Sequence, residues 1–145
     1  MDHLPEQAKV VIIGGGVIGC SVAYHLSKLG WQDIVLLERK QLTSGTTWHA
    51  AGLIGQLRAT LNMTKLAMYS TELYNNLESE TGIATGYKRN GSLSLALTKE
   101  RFEELRRGAS MARNFGLETE ILSNNEIKKR YPCLLYTSPS PRDIS

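Results

Sequence analysis

Apolar and polar positions follow two different periods along the chain, and each change of period marks an element. Lys9 to Gly15, KVVIIGG, is a short β-branched run closed by glycines. Such a run predicts a buried parallel strand. From Val17 to Leu29 the period becomes helical, with Ile18, Val22, Leu26 and Leu29 on one stripe and Gly30 as the stop. Asp33 to Glu38, DIVLLE, reads as a second buried strand. Parallel neighbours need a crossover, so the three segments predict a βαβ unit over about residues 8–38.

The helical period returns in NMTKLAMYSTELYNNLESETG, where Met63, Leu66, Ala67, Leu73, Tyr74 and Leu77 fall near one face and Gly82 follows. Ser92 to Leu97, SLSLAL, alternates and predicts a half-buried strand. Thr98 suits the N-cap of a helix that carries Phe102, Leu105, Ala109 and Ala112 and ends near Gly116. Its Lys and Arg residues between positions 99 and 107 make a solvated face. Leu117 to Leu122, LETEIL, predicts another short strand. Ser123 and Glu126 then have capping-box spacing for a short helix that ends before Pro132. No segment repeats another.

Composition narrows the class without deciding it. A chain of 145 residues suits one modest domain, and 41% hydrophobic with 21% charged residues is ordinary for a globular one. A net charge of +3, with Lys and Arg scattered, excludes the basic stripe of a nucleic-acid binder. No apolar run approaches the roughly 18 residues of a membrane span. The start, MDHLPEQAK, has none of the basic, apolar or Arg-rich features of a leader. A bacterial cytoplasm is therefore the expected location, with the mitochondrial matrix as the alternative if the true start lies upstream. Cys20 and Cys133 suggest no disulfide framework and fit a reducing compartment. No metal site is expected.

The tail stands apart. CLLYTSPSPRD, Cys133 to Asp143, holds three Ser or Thr and two Pro in eleven residues, with no cap and no helical period. It matches, residue for residue, the translation of a common transposon-based sequencing adaptor. Residues 133–145 are therefore expected to be an artefact that interrupts the natural chain after Pro132, and they are excluded from fold reasoning.

Gly14, Gly16 and Gly19 form a G-x-G-x-x-G pattern, with Val17 and Ile18 between the last two. The pattern alone is weak. Here it follows a predicted strand and opens a predicted helix, and the acidic Glu38 ends the next strand, which is the context a dinucleotide cradle requires. Gly14 permits the tight turn, Gly16 lets the backbone approach a pyrophosphate, and Gly19 lets the helix pack on the strand. The helix N-terminus offers N–H groups to an anion. Glu38 would accept hydrogen bonds from an adenosine ribose, and Arg39 beside it is assigned to the same cofactor site.

FAD and NAD both use such a cradle. After Glu38 this chain continues with RKQLTSGTTWHAAGL, a small-residue segment rather than another βα unit. The stretch around residues 43–55 can lie along a ribityl chain and a flavin ring, with Gly45 and Gly52 allowing close contact. Thr46, Thr47, Trp48, His49, Ala50, Ala51 and Leu53 complete the expected FAD-contacting set. Trp48 could wall a flavin or simply pack.

The segments VVIIGGGVIGCSVAYHL, DIVLLE, LTSGTTWHAAGL, ETGIATGY and NGSLSLA together resemble the FAD-dependent amine oxidoreductases, specifically the sarcosine and dimethylglycine dehydrogenases, over about residues 5–132. The resemblance implies an α/β, Rossmann-like FAD-binding domain built on a doubly wound parallel sheet. A substrate-side segment would be interleaved from about residue 85 to 132, and the chain would be truncated. It implies FAD held covalently, through the flavin 8α-methyl carbon, by the residue matching the histidine of the TWHAAG motif, here His49. A neutral imidazole is required, because the bond uses a nitrogen lone pair.

Further implications are an N-methylated amino acid as substrate, hydride transfer to flavin N5 and a formaldehyde-level product. An electron-transfer flavoprotein would be the acceptor, and tetrahydrofolate could bind in a C-terminal region that this chain lacks. The catalytic residues would lie outside the chain, which alone would be poorly stable and inactive. Two alternatives share the resemblance. One is a non-catalytic regulatory subunit of pyruvate dehydrogenase phosphatase, which lacks the tethering histidine. The other is a flavin amine oxidase such as a D-amino-acid dehydrogenase. His3, His25 and Cys20 carry no chemistry in this reading; they are a terminal, a helical and a small core residue.

Overall fold

The computed structural model describes residues 5–135. His3 and residues 136–145, most of the expected adaptor tail, lie outside the described residues. The chain divides into two compact units, Met1–Leu53 and Ile54–Ser145.

In the first unit, β1 (Val10–Ile13), α1 (Val17–Lys28) and β2 (Ile34–Leu37) form the expected βαβ unit, followed by a 3-10 turn over Thr46–His49. The strands pair in parallel, from Val10 opposite Ile34 to Ile13 opposite Leu37. Gly14 N–H donates to the Leu37 carbonyl at 2.8 Å and carries the pairing one residue into the turn. At the end of α1, Gly30 N–H donates to the Ser27 carbonyl and Trp31 N–H to that of Leu26, so the terminal carbonyls find partners.

Two expectations about burial are corrected here. The strands are not buried on both faces: Val11 is 52% and Ile13 87% exposed. Successive strand side chains point to opposite faces. α1 covers one face, and among the described residues no element of this unit lies over the other. Three of the four residues of the expected stripe of α1, Ile18 (78% exposed), Val22 and Leu29 (75%), also turn outward, while Leu26 is half-buried. A Cβ at Gly19 would collide with the Gly14 carbonyl oxygen and lie 3.4 Å from Ile12 Cγ2. Closest approach at Gly19 fixes which face meets β1, and Ile18, Val22 and Leu29 lie about 60–100° around the helix from it. Cys20, Ala23 and Leu26 are the half-buried neighbours.

The second unit holds α2 (Leu61–Thr81), α3 (Lys99–Asn114) and α4 (Asn124–Arg130). Each begins on a side-chain cap. Thr60 Oγ1 accepts from Met63 N–H, Thr98 Oγ1 from Arg101 N–H, and Ser123 with Glu126 forms the full capping box. Gly82 closes α2 in the left-handed conformation. On α3 the inward face runs through Leu105, Ala109 and the fully buried Ala112. Its charged face carries the pairs Arg101–Glu104 and Arg106–Glu103.

The strands expected at Ser92–Leu97 and Leu117–Leu122 are absent, and Leu97 is 93% exposed. A strand exists only by pairing its N–H and carbonyl groups with a neighbour, and this unit has no strand among its described residues to serve as one. On α2 the buried positions are Thr64 and Thr71, whereas Met63 and Leu66, expected inside, are exposed. Thr64 Oγ1 accepts from Arg58 N–H at 3.1 Å and donates to the Arg58 carbonyl at 3.3 Å. That reciprocal bond folds the incoming segment over the Thr64 side and selects the face. No helix among the described residues is long and apolar enough to cross a membrane.

Ala112 is the one hydrophobic side chain fully buried among the described residues, and a two-stranded sheet alone is marginal in water. The 145-residue chain should therefore show no cooperative thermal melt by circular dichroism; a sharp transition would contradict this. In the full-length protein, Gly19→Ala should cost about 1–3 kcal/mol, as overpacking does. Gly108→Ala, on α3 with nothing within 4 Å of the added Cβ, should leave the melting temperature unchanged or raise it. Comparing the two melting temperatures checks both.

Candidate functional site

The loop from Gly14 to Gly16 joins β1 to α1, and the residues around it are bound to it by short contacts. Gly14 has φ 106°, which a side chain would disfavour. Gly15 is buried and has four partners or close neighbours. Its N–H donates to Glu38 Oε2 at 2.8 Å, and its carbonyl accepts from Thr43 N–H at 2.8 Å and from Cys20 Sγ at 3.5 Å. A Cβ there would lie 2.5 Å from Leu42 Cδ2 and 3.0 Å from Glu38 Cβ. The motif reading treated this glycine as a variable position. Three consecutive glycines, one more than the pattern demands, were the available signal.

Glu38 sits at the end of β2, half-buried. Its Oε2 accepts from Gly15 N–H, and its Oε1 accepts from Lys40 N–H at 3.0 Å. These bonds, the Gly15 one first, hold its carboxyl below the usual carboxylate range, with the neighbouring Arg39 charge a smaller cause. A carboxylate has about four lone-pair sites, so Glu38 keeps acceptor capacity for a sugar hydroxyl. Arg39 is exposed.

Beyond Glu38 the chain returns to the glycine loop through Thr43, a non-glycine residue at φ 63°. Trp48 N–H donates to the Thr43 and Gly45 carbonyls, both at 3.1 Å, closing the 3-10 turn. Thr47 Oγ1 accepts from Val17 N–H at 3.0 Å. His49 Nδ1 lies 3.0 Å from the Gly45 carbonyl oxygen. A carbonyl only accepts, so Nδ1 carries the proton, and in the neutral ring Nε2 keeps the lone pair. His49 is exposed, as are Thr46, Trp48 (79%), Ala50, Ala51, Gly52 and Leu53.

Thus Gly14, Gly16, Val17, Glu38, Gly45, Thr47 and His49 come together at one end of the parallel pair. Ile18 points outward and Gly19 serves packing. Val17, Ile18 and Gly19 open α1, where N–H groups have no helical carbonyl to bond; Val17 N–H is taken by Thr47 Oγ1, which leaves those of Ile18 and Gly19 as donors for an anion. His25 is part of α1, its Nδ1 2.7 Å from the Ser21 carbonyl oxygen, away from this cluster. Among the described residues no His, Cys, Asp and Glu cluster could hold a metal.

Residues 9–139 match the protein family described as FAD dependent oxidoreductase (DAO). The chain belongs to this family. It is 50% identical over 131 residues to the mitochondrial pyruvate dehydrogenase phosphatase regulatory subunit of Mus musculus, covering 90% of this chain and 15% of that one. It is 46% identical to Homo sapiens mitochondrial sarcosine dehydrogenase, covering 90% of this chain and 14% of that one. It is 42% identical to Rattus norvegicus mitochondrial dimethylglycine dehydrogenase, covering 89% of this chain and 15% of that one. The chain thus spans about 15% of the length of these relatives.

Among solved structures, L-proline dehydrogenase from P. horikoshii superposes with a TM-score of 0.81 at 28% identity, over 89% of this chain and 34% of that one. The α/β, Rossmann-like FAD-binding fold and the resemblance to sarcosine and dimethylglycine dehydrogenases are borne out. The cradle fits the family's cofactor: the glycine turn is open at Gly14, where an added Cβ would meet nothing within 4 Å, and helix-end donors and an acceptor carboxylate flank it.

Because its folded pKa is depressed, Glu38 contributes fully above the ordinary carboxylate value of 4.5, and its contribution is lost as pH falls through the lowered folded value. In a full-length His49→Ala background, where no covalent bond can hold the flavin, FAD retention should therefore fall off in acid below that range. Glu38→Gln should weaken FAD binding roughly tenfold at neutral pH, the scale of losing a hydrogen bond to a charged group, and flatten the acid dependence. Titrating flavin fluorescence against pH for both proteins checks the sign.

Proposed function

We propose that the full-length protein is an FAD-dependent amine dehydrogenase that oxidises the N-methyl group of sarcosine or dimethylglycine, with FAD bonded covalently to His49. The observation that carries this reading is the exposed His49 ring, held by its Nδ1–H on the Gly45 carbonyl so that the Nε2 lone pair faces away. Bound FAD would supply the hydride acceptor for the methyl carbon and leave a formaldehyde-level product. Gly14, Gly16 and the N–H groups of Ile18 and Gly19 would bind the pyrophosphate, with Val17 N–H held by Thr47 Oγ1. Glu38, with Arg39 beside it, would receive the ribose. Gly45, Thr46, Thr47, Trp48 and the small residues Ala50, Ala51, Gly52 and Leu53 would line the flavin edge.

His49 Nε2 would form the bond to the 8α carbon. Forming that bond would take one hydrogen from the methyl group and the Nδ1 proton from the imidazole, a two-electron oxidation for which dioxygen would be the final acceptor. An electron-transfer flavoprotein is the proposed acceptor in turnover, and tetrahydrofolate the proposed carrier of the one-carbon unit elsewhere in the protein. Mitochondrial relatives and a bacterial one, the 4-methylaminobutanoate oxidase of Paenarthrobacter nicotinovorans, support the mitochondrial matrix and a bacterial cytoplasm alike as proposed locations. We also propose that residues 133–145 are translated adaptor. A fresh DNA read across Tyr131 to Cys133 should continue into new coding sequence, and a genomic stop after the tail would refute it.

One observation favours a second reading. The 50% identity to a phosphatase regulatory subunit fits a non-catalytic protein on the same scaffold. Anaerobic addition of sarcosine or dimethylglycine to the full-length protein separates the two. Bleaching of the flavin supports the dehydrogenase; flavin that stays oxidised with both, and with other N-methyl amino acids, supports the regulatory protein. For the tether, acid precipitation should leave the yellow colour in the wild-type pellet and move all of it to the supernatant in His49→Ala. Colour in the wild-type supernatant refutes the covalent bond.

A further inference from the structure

We infer that Thr47 is the positioning residue for His49: its hydroxyl pins the turn that carries the histidine to the first N–H of α1. The inference rests on the covalent reading of His49 above. Val17 opens α1, so its N–H has no helical carbonyl, and the N-cap, Gly16, has no side chain to supply an acceptor. The acceptor instead comes from thirty residues away, as Thr47 Oγ1 at 3.0 Å. A Cβ at position 16 would lie only 3.1 Å from that oxygen. The second motif glycine therefore makes room for Thr47 as well as for a ligand.

Thr47 is also the one residue between Gln41 and Leu53 that is not exposed. Its own carbonyl accepts from Ala50 N–H at 3.2 Å, and the Trp48 N–H bonds tie it to Thr43 and Gly45. Gly45 in turn holds the His49 ring. Fixing Thr47 thus fixes both the backbone of His49 and the carbonyl that orients its imidazole. The other anchor of this loop to the glycine turn is the backbone bond from Thr43 N–H to the Gly15 carbonyl, which a side-chain change leaves in place.

The test uses full-length protein freed of flavin and reconstituted with FAD. Total bound flavin is read before acid, the rate of appearance of acid-stable flavin after it, and deuterium uptake is read in the peptide over residues 43–53. Thr47→Val should form acid-stable flavin, per flavin bound before acid, roughly ten- to a hundredfold more slowly, as small misplacements of reacting groups do, and exchange faster in that peptide. Thr47→Ser keeps the acceptor and should restore both readouts to near wild type. A Thr47→Val protein that links flavin at the wild-type rate overturns the inference. So does a Thr47→Ser protein as slow as Thr47→Val, and that variant decides the matter alone should Thr47→Val not fold. A wild type with no acid-stable flavin overturns the covalent reading instead. The inference then stands or falls on whether Thr47→Val, and not Thr47→Ser, loosens residues 43–53.

Discussion

The carbonyl oxygen of Gly14 lies where a Cβ at position 19 would have to be. That one exclusion sets how closely α1 can rest on β1, and the rest of the first unit depends on it. With the helix seated there, its first N–H meets Thr47, and the loop before it turns Gly15 toward Glu38 and Thr43. The helix N-terminus then opens beside the end of β2, where an anion would find unpaired N–H groups and a carboxylate would receive a sugar. A bulkier residue at position 19 would tilt the helix away and separate these partners together, although none of them touches residue 19.

What the sequence made legible was what a few adjacent residues decide. The caps at Thr98 and at Ser123 with Glu126 were readable because both partners lie within four positions. The strands of the βαβ unit were readable because a β-branched run and its closing glycines are contiguous. The buried face of α1 was legible only at Gly19, whose close approach to β1 outweighs the apolar stripe, so that Ile18, Val22 and Leu29 turn outward and Leu26 alone of the stripe stays half-buried. The face of α2, which Thr64 selects through Arg58 rather than through its own hydrophobic residues, was not legible. Ser92–Leu97 alternates correctly, yet alternation states only which face a strand would bury. It supplies no partner for the ladder.

The candidate site divides in the same way. Gly14, Gly16, Gly19 and Glu38 were found by spacing, since a phosphate turn needs fixed offsets. Gly15 was hidden in a variable position, and its importance shows only when Leu42, Thr43 and Glu38 close on it. The role of Thr47 was beyond reach, because its partner is thirty residues away and nothing local about a threonine in a small-residue loop announces a helix cap. His49 was singled out by its motif, but the ring nitrogen left available follows from the Gly45 carbonyl.

The two functional readings meet over what half-identity in this region means. The three motif glycines, Gly15, the caps and the Thr64–Arg58 lock serve folding, and the glycines would serve equally to hold a dinucleotide, whatever chemistry follows. Two proteins that share them will be similar here even if only one reacts. Identity at these positions therefore weighs little between a dehydrogenase and a regulatory subunit. Position 49 is different in kind. Among the described residues it is exposed, and its hydrogen bond to the Gly45 carbonyl uses the nitrogen that leaves Nε2 open. A ring oriented by a bond that keeps its lone pair free suits the proposed chemistry. This is why the dehydrogenase reading stands first despite the higher identity on the other side.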